Sequence, residues 1–317
     1  MLQCRIQIPI HLFQRIEAFL RENIKPGPGK SCRSIHRKND RYMRSCMEAF
    51  GMMYVPMFKK HVSAELLFAE AEARGFHPSW ETGCGLFSLV HKKKTVFIYY
   101  TKLHCNSQLG SQMCGDKHLA RTFLARENFP NIPYCYSNQK AEINRFFDQH
   151  TPLIQKPLLG MKAQNVRLIS HREEICFENL EDTFFEKYIE GTEYRVLIVQ
   201  KAIAMQKKIL KPTEKYPWRK HVTNIPRHEW LPELVSMAES LAQKLHMTCM
   251  AVDYIVNTAN QVFVLELNSM PGLYSFHHPD TGEPVNIASE LLTVILHTEE
   301  HGALSWRKLE PSSLLEL

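Results

Sequence analysis

The chain has 317 residues, 44% hydrophobic and 23% charged, with a net charge of +6, an ordinary balance for a globular protein with ample core material. No apolar run approaches the roughly 18 residues of a transmembrane helix, and Arg5, His11, Gln14, Arg15 and Glu17 interrupt the N-terminal stretch that a signal peptide would need. Nine cysteines, an odd number without a C-x-x-C pair, argue against a disulfide framework and a zinc site and point to a reducing, cytoplasmic compartment.

Ile10, Leu12, Phe13, Ile16, Phe19 and Leu20 recur at helical spacing before Pro26-Gly27-Pro28-Gly29 ends the pattern. Lys25, Lys30, Arg33, Arg37, Lys38, Arg41 and Arg44 crowd the next region, but no aromatic ladder for stacking bases accompanies them. They read as a solvated face, so neither nucleic acid nor a membrane is the expected partner. Ala64 to Arg74 reads as a helix with Gly75 just past its end, followed by strands at 85–91 and 95–100. Asp116 caps a helix that ends before Pro130, and a second helix covers about 138–149. Strands are expected at 152–157, 165–169, 183–189, 193–199 and 202–210. Residues 211–229, with three prolines and five Lys/Arg side chains, read as a loop. Pro232 opens a helix to His246, and Ile287 to His297 makes a last one. Antiparallel strands with helices between them indicate an α+β fold.

The stretch from Cys249 to Leu273 carries the clearest chemistry. Two apolar runs flank Asn257-Thr258-Ala259-Asn260, which is turn chemistry, so a hairpin is expected. Pairing Val256 with Gln261 sets Asp253 opposite Val264 and makes Glu266 its diagonal neighbour, roughly 7–8 Å away at the backbone. Asn268 shares a face with Glu266 because strand side chains alternate. Three oxygen ligands on one face suit Mg²⁺ completed by substrate phosphates. The alternative is two carboxylates facing water, although Glu266 sits in the apolar run Val-Phe-Val-Leu-Glu-Leu.

Two further sets stand out. Alternation puts Glu193, Arg195, Leu197 and Val199 on one strand face, and a turn at Gln200-Lys201 pairs Glu193 with Lys208. Taken alone, that pair is a cross-strand ion pair. Lys156 interrupts the apolar strand Leu153-Ile154-Gln155-Lys156-Pro157 and must snorkel or meet an anion, for which phosphate is a candidate.

In order, Asp116-Lys117, Gln155-Lys156-Pro157, Glu186 to Arg195, Val252-Asp253 and Leu265-Glu266-Leu267-Asn268 resemble the ATP-grasp superfamily, over about residues 105–298. The ending Leu267 to Leu273 is most similar to the cyanophycin synthetase branch. The D-alanine–D-alanine ligases and the glutathione- and ribosomal-protein-modifying ligases look like neighbouring branches. The resemblance implies an ATP-grasp fold, with two α+β subdomains clamping ATP, at residues 111–300, divided into a nucleotide-clamping part at about 111–190 and a metal-binding part at about 191–300. Before it come an extension at 1–60 and a small α/β domain at 61–110; a tail at 301–317 follows.

The same resemblance implies site roles. Lys117 and Lys156 would contact the ATP phosphates, and Gly160 would lie in the loop that closes over them. Glu186 would accept from the adenine amino group, while the backbone of Lys187, Tyr188 and Ile189 pairs with the ring edge. Glu193 would hold the ribose hydroxyls, and Lys207 or Lys208, with Lys208 favoured by its face, would reach the phosphates. Asp253, Glu266 and Asn268 would hold two Mg²⁺ ions, for which Mn²⁺ can substitute. Arg195 is a candidate for the tetrahedral oxyanion or the substrate carboxylate. His277 and His278 either orient the amine substrate or are surface residues.

The implied activity is an ATP-dependent carboxylate–amine ligase that forms an acyl phosphate and joins it to an amine of an amino acid or peptide. A kinase acting on a small-molecule hydroxyl and a non-catalytic ATP-binding module are the alternatives, and a homodimer is compatible with all three. Two features depart from the pattern. Ala251 stands where D-alanine–D-alanine ligases carry an arginine, which argues against that substrate pair, and only Gly160 remains of the family's glycine-rich loop.

Overall fold

The computed structural model describes residues 62–81, 85–159, 165–211 and 219–301. The helix expected near residues 10–20, the basic cluster at 25–44, and Gly160 with Lys162 and Gln164 all lie outside the described residues.

Helix α1 (Val62–Ala73) is followed by strands β1 (Ser79–Trp80), β2 (Leu86–His91) and β3 (Lys94–Tyr99), which form a three-stranded sheet. Gly75 has φ +81 and closes the end of α1, as its place just past the expected helix predicts. The β2–β3 turn places Lys92 and Lys93 both at positive φ, a conformation the sequence hides because lysine is not a turn signal. Helices α2 (Gln108–Gly115) and α3 (Lys117–Arg126) follow. Asp116 caps α3 by accepting from the His118 and Leu119 amides at 2.9 and 3.0 Å. Helix α2 escapes a reading by propensity because Gly110 and Gly115 weaken it. Gly110 is needed there, since a Cβ would lie 2.2 Å from the Leu245 carbonyl oxygen.

A four-stranded antiparallel sheet comprises β4 (Tyr134–Cys135), β5 (Leu153–Pro157), β6 (Arg167–Ile169) and β7 (Thr183–Lys187) in the order β4-β7-β5-β6. Helix α4 (Lys140–His150) covers one face through Ile143, Phe146 and Phe147, packed on Leu153 and Phe185. The opposite face carries Lys156 and Glu186.

The largest sheet has the order β10-β9-β8-β11-β12, from β8 (Gly191–Val199), β9 (Lys201–Lys211), β10 (Arg219–Asn224), β11 (Cys249–Asn257) and β12 (Val262–Asn268). Strand β10 corrects the expected loop at 211–229: its Val222 and Asn224 pair with Lys208 and Gln206, so tertiary pairing overrides the local punctuation. Glu193 does pair with Lys208. The turn is one residue tighter than expected, however, since Val199 faces Lys201 directly, and a bulge at Ile203 restores the register. Helix α5 (Pro232–Lys244) packs Leu234, Ala238 and Leu241 on Val196, Ile198, Val252 and Tyr254. The other face begins as core: Leu197, Val199, Cys249 and Ala251 lie under Leu291, Leu292 and Ile295 of α7 (Ile287–His301). Beyond Leu197 and Ala251 that same face turns polar. A short helix, α6 (Tyr274–His277), lies between β12 and α7.

Candidate active site

The hairpin forms as expected, but its register differs. Val256 pairs with Val262 and Tyr254 with Val264, and then a bulge at Leu265 shifts the ladder so that Asp253 pairs directly with Glu266. The expected diagonal arrangement is thus replaced by a direct cross-strand one. Two one-residue shifts are the cause, one at the turn, where Val256 meets Val262 instead of Gln261, and one from the extra residue in β12, and no period-two pattern discloses either. Without the bulge, Glu266 would oppose Val252 and point into the core under α5. Ala251 pairs with Asn268, so Asp253, Glu266 and Asn268 share the polar face.

Asp253 is 3% exposed and Arg195 lies beside it on β8. The guanidinium donates from Nε to Oδ1 at 2.7 Å and from Nη2 to Oδ2 at 2.6 Å, and Lys208 Nζ donates to Oδ1 at 2.7 Å. Burial opposes ionisation of Asp253, but Arg195 and then Lys208 outweigh it and hold the carboxyl well below the ordinary range. Glu193, 6% exposed, completes this charged row opposite Lys208. Glu266 is exposed, with no hydrogen-bond or ion-pair partner among the described residues. Asn268 Oδ1 accepts from the Met270 amide at 2.9 Å.

On the four-stranded sheet, Lys156 Nζ is bonded to Glu186 Oε1 and lies 5.7 Å from the Phe184 ring centroid. Glu186 is 2% exposed, and its Oε2 accepts from Arg121 Nη2 at 2.9 Å. Burial works against its charge, yet Lys156 and Arg121 hold its pKa below normal. Lys117 Nζ donates to the Leu158 carbonyl at 3.1 Å, at the edge of the segment containing Gly160. Burial and the neighbouring Lys156 ammonium lower the Lys117 pKa, while Glu266, Glu186 and Asp116 pull the other way. Lys117 therefore senses carboxylates of both sheets. The Lys187 and Tyr188 amides donate to the Pro133 and Pro152 carbonyls, both at 2.9 Å, so these two amides are engaged within the fold.

The geometry adds contacts for two of the expected site residues. Glu186 accepts one hydrogen bond on each oxygen, from Lys156 and from Arg121, so it anchors Lys156 and keeps further acceptor positions. His277 Nε2 accepts from the Ala288 amide at 3.3 Å in the first turn of α7, which ties this ring to the fold. Two features were not anticipated from sequence. Arg121 was hidden on the buried side of α3, although its spacing of four from Lys117 places both on adjacent turns. The second is a buried polar network in which Gln206 Nε2 donates to Asn224 Oδ1, Ser275 Oγ donates to Gln206 Oε1, and Asn224 Nδ2 donates to the Phe276 and Glu283 carbonyls. It fixes α6 against β9 and β10 beside Arg195. Gly282, at φ +85, completes this closure, since a Cβ there would meet the Asn224 carbonyl oxygen at 2.2 Å.

The donor set fits a divalent cation. A carboxylate accepts about four hydrogen bonds, and Asp253 uses three, so Oδ2 keeps an acceptor position. The Asn268 carbonyl likewise keeps one, and Glu266 is open. Among the described residues no three His, Cys, Asp or Glu side chains converge on a point. Two carboxylates and one amide suit Mg²⁺ whose shell phosphate oxygens complete, rather than an ion held by protein alone. Beneath Glu266, burial and the Glu266 charge push the Cys114 thiol up to about 12, which leaves it protonated.

The ATP-grasp domain family matches residues 114–272, half of the chain. The chain belongs to the ATP-grasp family. It is 24% identical over 223 residues to a D-alanine–D-alanine ligase of Thermosipho africanus, covering 62% of this chain and 55% of that protein. The chain thus spans about half the length of that curated relative. Among solved structures, a bifunctional glutathione synthetase from Pasteurella multocida superposes with a TM-score of 0.56 at 11% identity, over 90% of this chain and 50% of that one. The ATP-grasp ligase PsnB, complexed with a minimal precursor, gives a TM-score of 0.52 at 18% identity, over 61% and 63% of the two chains. These likenesses show the ATP-grasp fold.

Proposed function

We propose that the chain is an ATP- and Mg²⁺-dependent carboxylate–amine ligase acting on an amino acid or peptide. The observation that carries this reading is the direct pairing of Asp253 with Glu266 on a face shared with Arg195 and Lys208, while Lys117 lies within electrostatic reach of both Glu266 and Glu186. Family membership supports it, as do relatives and neighbours named as ligases. Lys117 and Lys156 would bind the phosphates, Glu193 the ribose, and Glu186 with the backbone of the Lys187 to Ile189 stretch the adenine edge. Asp253, Glu266 and Asn268 would hold Mg²⁺, which when bound offsets charge on the phosphate oxygens.

In the first step a substrate carboxylate oxygen bonds to the γ-phosphorus as the bond to the β-phosphate oxygen breaks, giving an acyl phosphate and ADP. The amine then attacks the acyl carbon, loses a proton and expels phosphate. Arg195, 17% exposed at its side chain and on the strand beside Asp253, would stabilise the oxyanion at that carbon. Ala251 removes the arginine that D-alanine–D-alanine ligases place on β11, so a different substrate pair is expected. The test is phosphate release across amino acids, singly and in pairs, with ATP and Mg²⁺. Release that needs both a carboxylate and an amine donor supports the ligase. Phosphotransfer to a single hydroxyl compound would replace it with a kinase.

A further inference from the structure

Arg121 of α3 is 3% exposed and contacts both halves of the site. Its Nη1 donates to the Val264 carbonyl and, at 3.2 Å, to Asn131 Oδ1; its Nη2 donates to the Leu265 carbonyl at 2.8 Å and to Glu186 Oε2 at 2.9 Å. Asn131 answers by donating to the Arg121 carbonyl at 2.8 Å. An ordinary buried ion pair would need only Glu186. Here two of its four hydrogen bonds go instead to the two carbonyls at the β12 bulge, and Leu265 is the residue that the bulge inserts. With Val256 paired to Val262 at the turn, that bulge decides whether Glu266 faces Asp253 or the α5 side. Through Glu186, the same guanidinium also fixes Lys156.

We propose that Arg121 is a positioning residue for the nucleotide–metal site, holding the bulge that presents Glu266 and the carboxylate that orients Lys156 at a fixed separation. The inference rests on the ATP-site reading above. The physical demand is for arginine in particular. A rigid planar fork reaches carbonyls on one side and a carboxylate on the other, whereas a lysine ammonium satisfies one side only. Glu186 would claim that ammonium, leaving the Leu265 carbonyl without its donor and the bulge free to shift.

The experiment uses the full chain with Arg121→Lys and Arg121→Met, titrating Mg²⁺ at fixed ADP and following nucleotide binding by calorimetry. Thermal unfolding without ligand and hydrogen exchange of residues 262–268 run alongside. Arg121→Lys is expected to stay folded, to exchange faster across 262–268 than in β8, and to raise the Mg²⁺ concentration for half-saturation about tenfold, equivalent to about 1.4 kcal/mol. Arg121→Met is expected to do more, and if it fails to fold, the lysine variant decides alone. Wild-type Mg²⁺ dependence and exchange in a folded variant overturn the role of Arg121. A wild-type chain that binds no ADP at any Mg²⁺ concentration overturns the nucleotide reading itself, a separate and recognisable result.

Discussion

Arg195 grips Asp253 from the neighbouring strand with two parallel hydrogen bonds, Nε to Oδ1 at 2.7 Å and Nη2 to Oδ2 at 2.6 Å, with Asp253 only 3% exposed. Breaking one partner of such a buried pair strands a charge and costs about 3–5 kcal/mol. Lys208 still holds Oδ1, so Arg195→Ala is expected at the lower end, about 3 kcal/mol, read as the loss of unfolding free energy in urea. Arg195→Lys keeps the charge but not the fork, and it should recover only part of that loss.

The pH dependence follows from the same carboxylate. Its pKa is lower folded than unfolded, so the stabilisation is fully present above the unfolded value, about 3.9, and is lost as pH falls below it. Glu186 acts in the same direction. The gap in urea stability between wild type and Asp253→Asn should therefore be wide at pH 7 and shrink on acidification toward pH 3. A gap that stays constant would mean the ion pair carries none of the difference.

Glu266 is the complementary case. It is exposed and has no hydrogen-bond or ion-pair partner among the described residues, so Glu266→Gln should leave the melting temperature unchanged to within the effect of about 0.5 kcal/mol. Nucleotide-dependent phosphate release should nevertheless fall by about a hundredfold or more, because removing one charged group that acts on the transition state costs on that order. Substantial activity in this variant would remove Glu266 from the metal set.

Asn224 is 4% exposed and makes three hydrogen bonds, two of them to carbonyls of the α6 region. Asn224→Leu leaves those carbonyls and the Gln206 amide without a partner. At about 1–3 kcal/mol for a buried unsatisfied group, a loss of about 3 kcal/mol in urea is expected. Ordering of α6 should suffer with it, seen as faster amide exchange at residues 274–277.

Cys114 and Cys249 provide a chemical check. Burial raises both thiols, Cys114 to about 12, and thiolate is the reactive form. Neither should be labelled by a maleimide at pH 8 in the native protein, and both should react after denaturation, as read by mass spectrometry of the peptides.

Much of the architecture was legible in the residues. Asp116 before an apolar helical run, Pro232 at a helix start and the alternation through Glu193, Arg195 and Leu197 are local chemistry acting over a few positions. They appear where expected because nothing distant opposes them. The motifs around Lys156, Asp253 and Glu266, in that order, were enough to place the chain in the ATP-grasp family. Strand β10 was not legible, because the prolines on either side of it and its basic start at Arg219 and Lys220 speak for a loop until Gln206 and Lys208 offer it a ladder.

The Asp253–Glu266 hairpin shows where the division lies. Sequence by itself determined that a turn at Asn257 brings two carboxylate-bearing strands together, since turn propensity and strand alternation are properties of neighbours along the chain. Only the tertiary structure decided that Leu265 bulges and sets the two carboxylates face to face. That choice depends on the α5 core, which would otherwise receive the Glu266 charge, and on Arg121, whose donors meet the Val264 and Leu265 carbonyls from 143 and 144 residues away. Register is a long-range property, and no window of local sequence contains it.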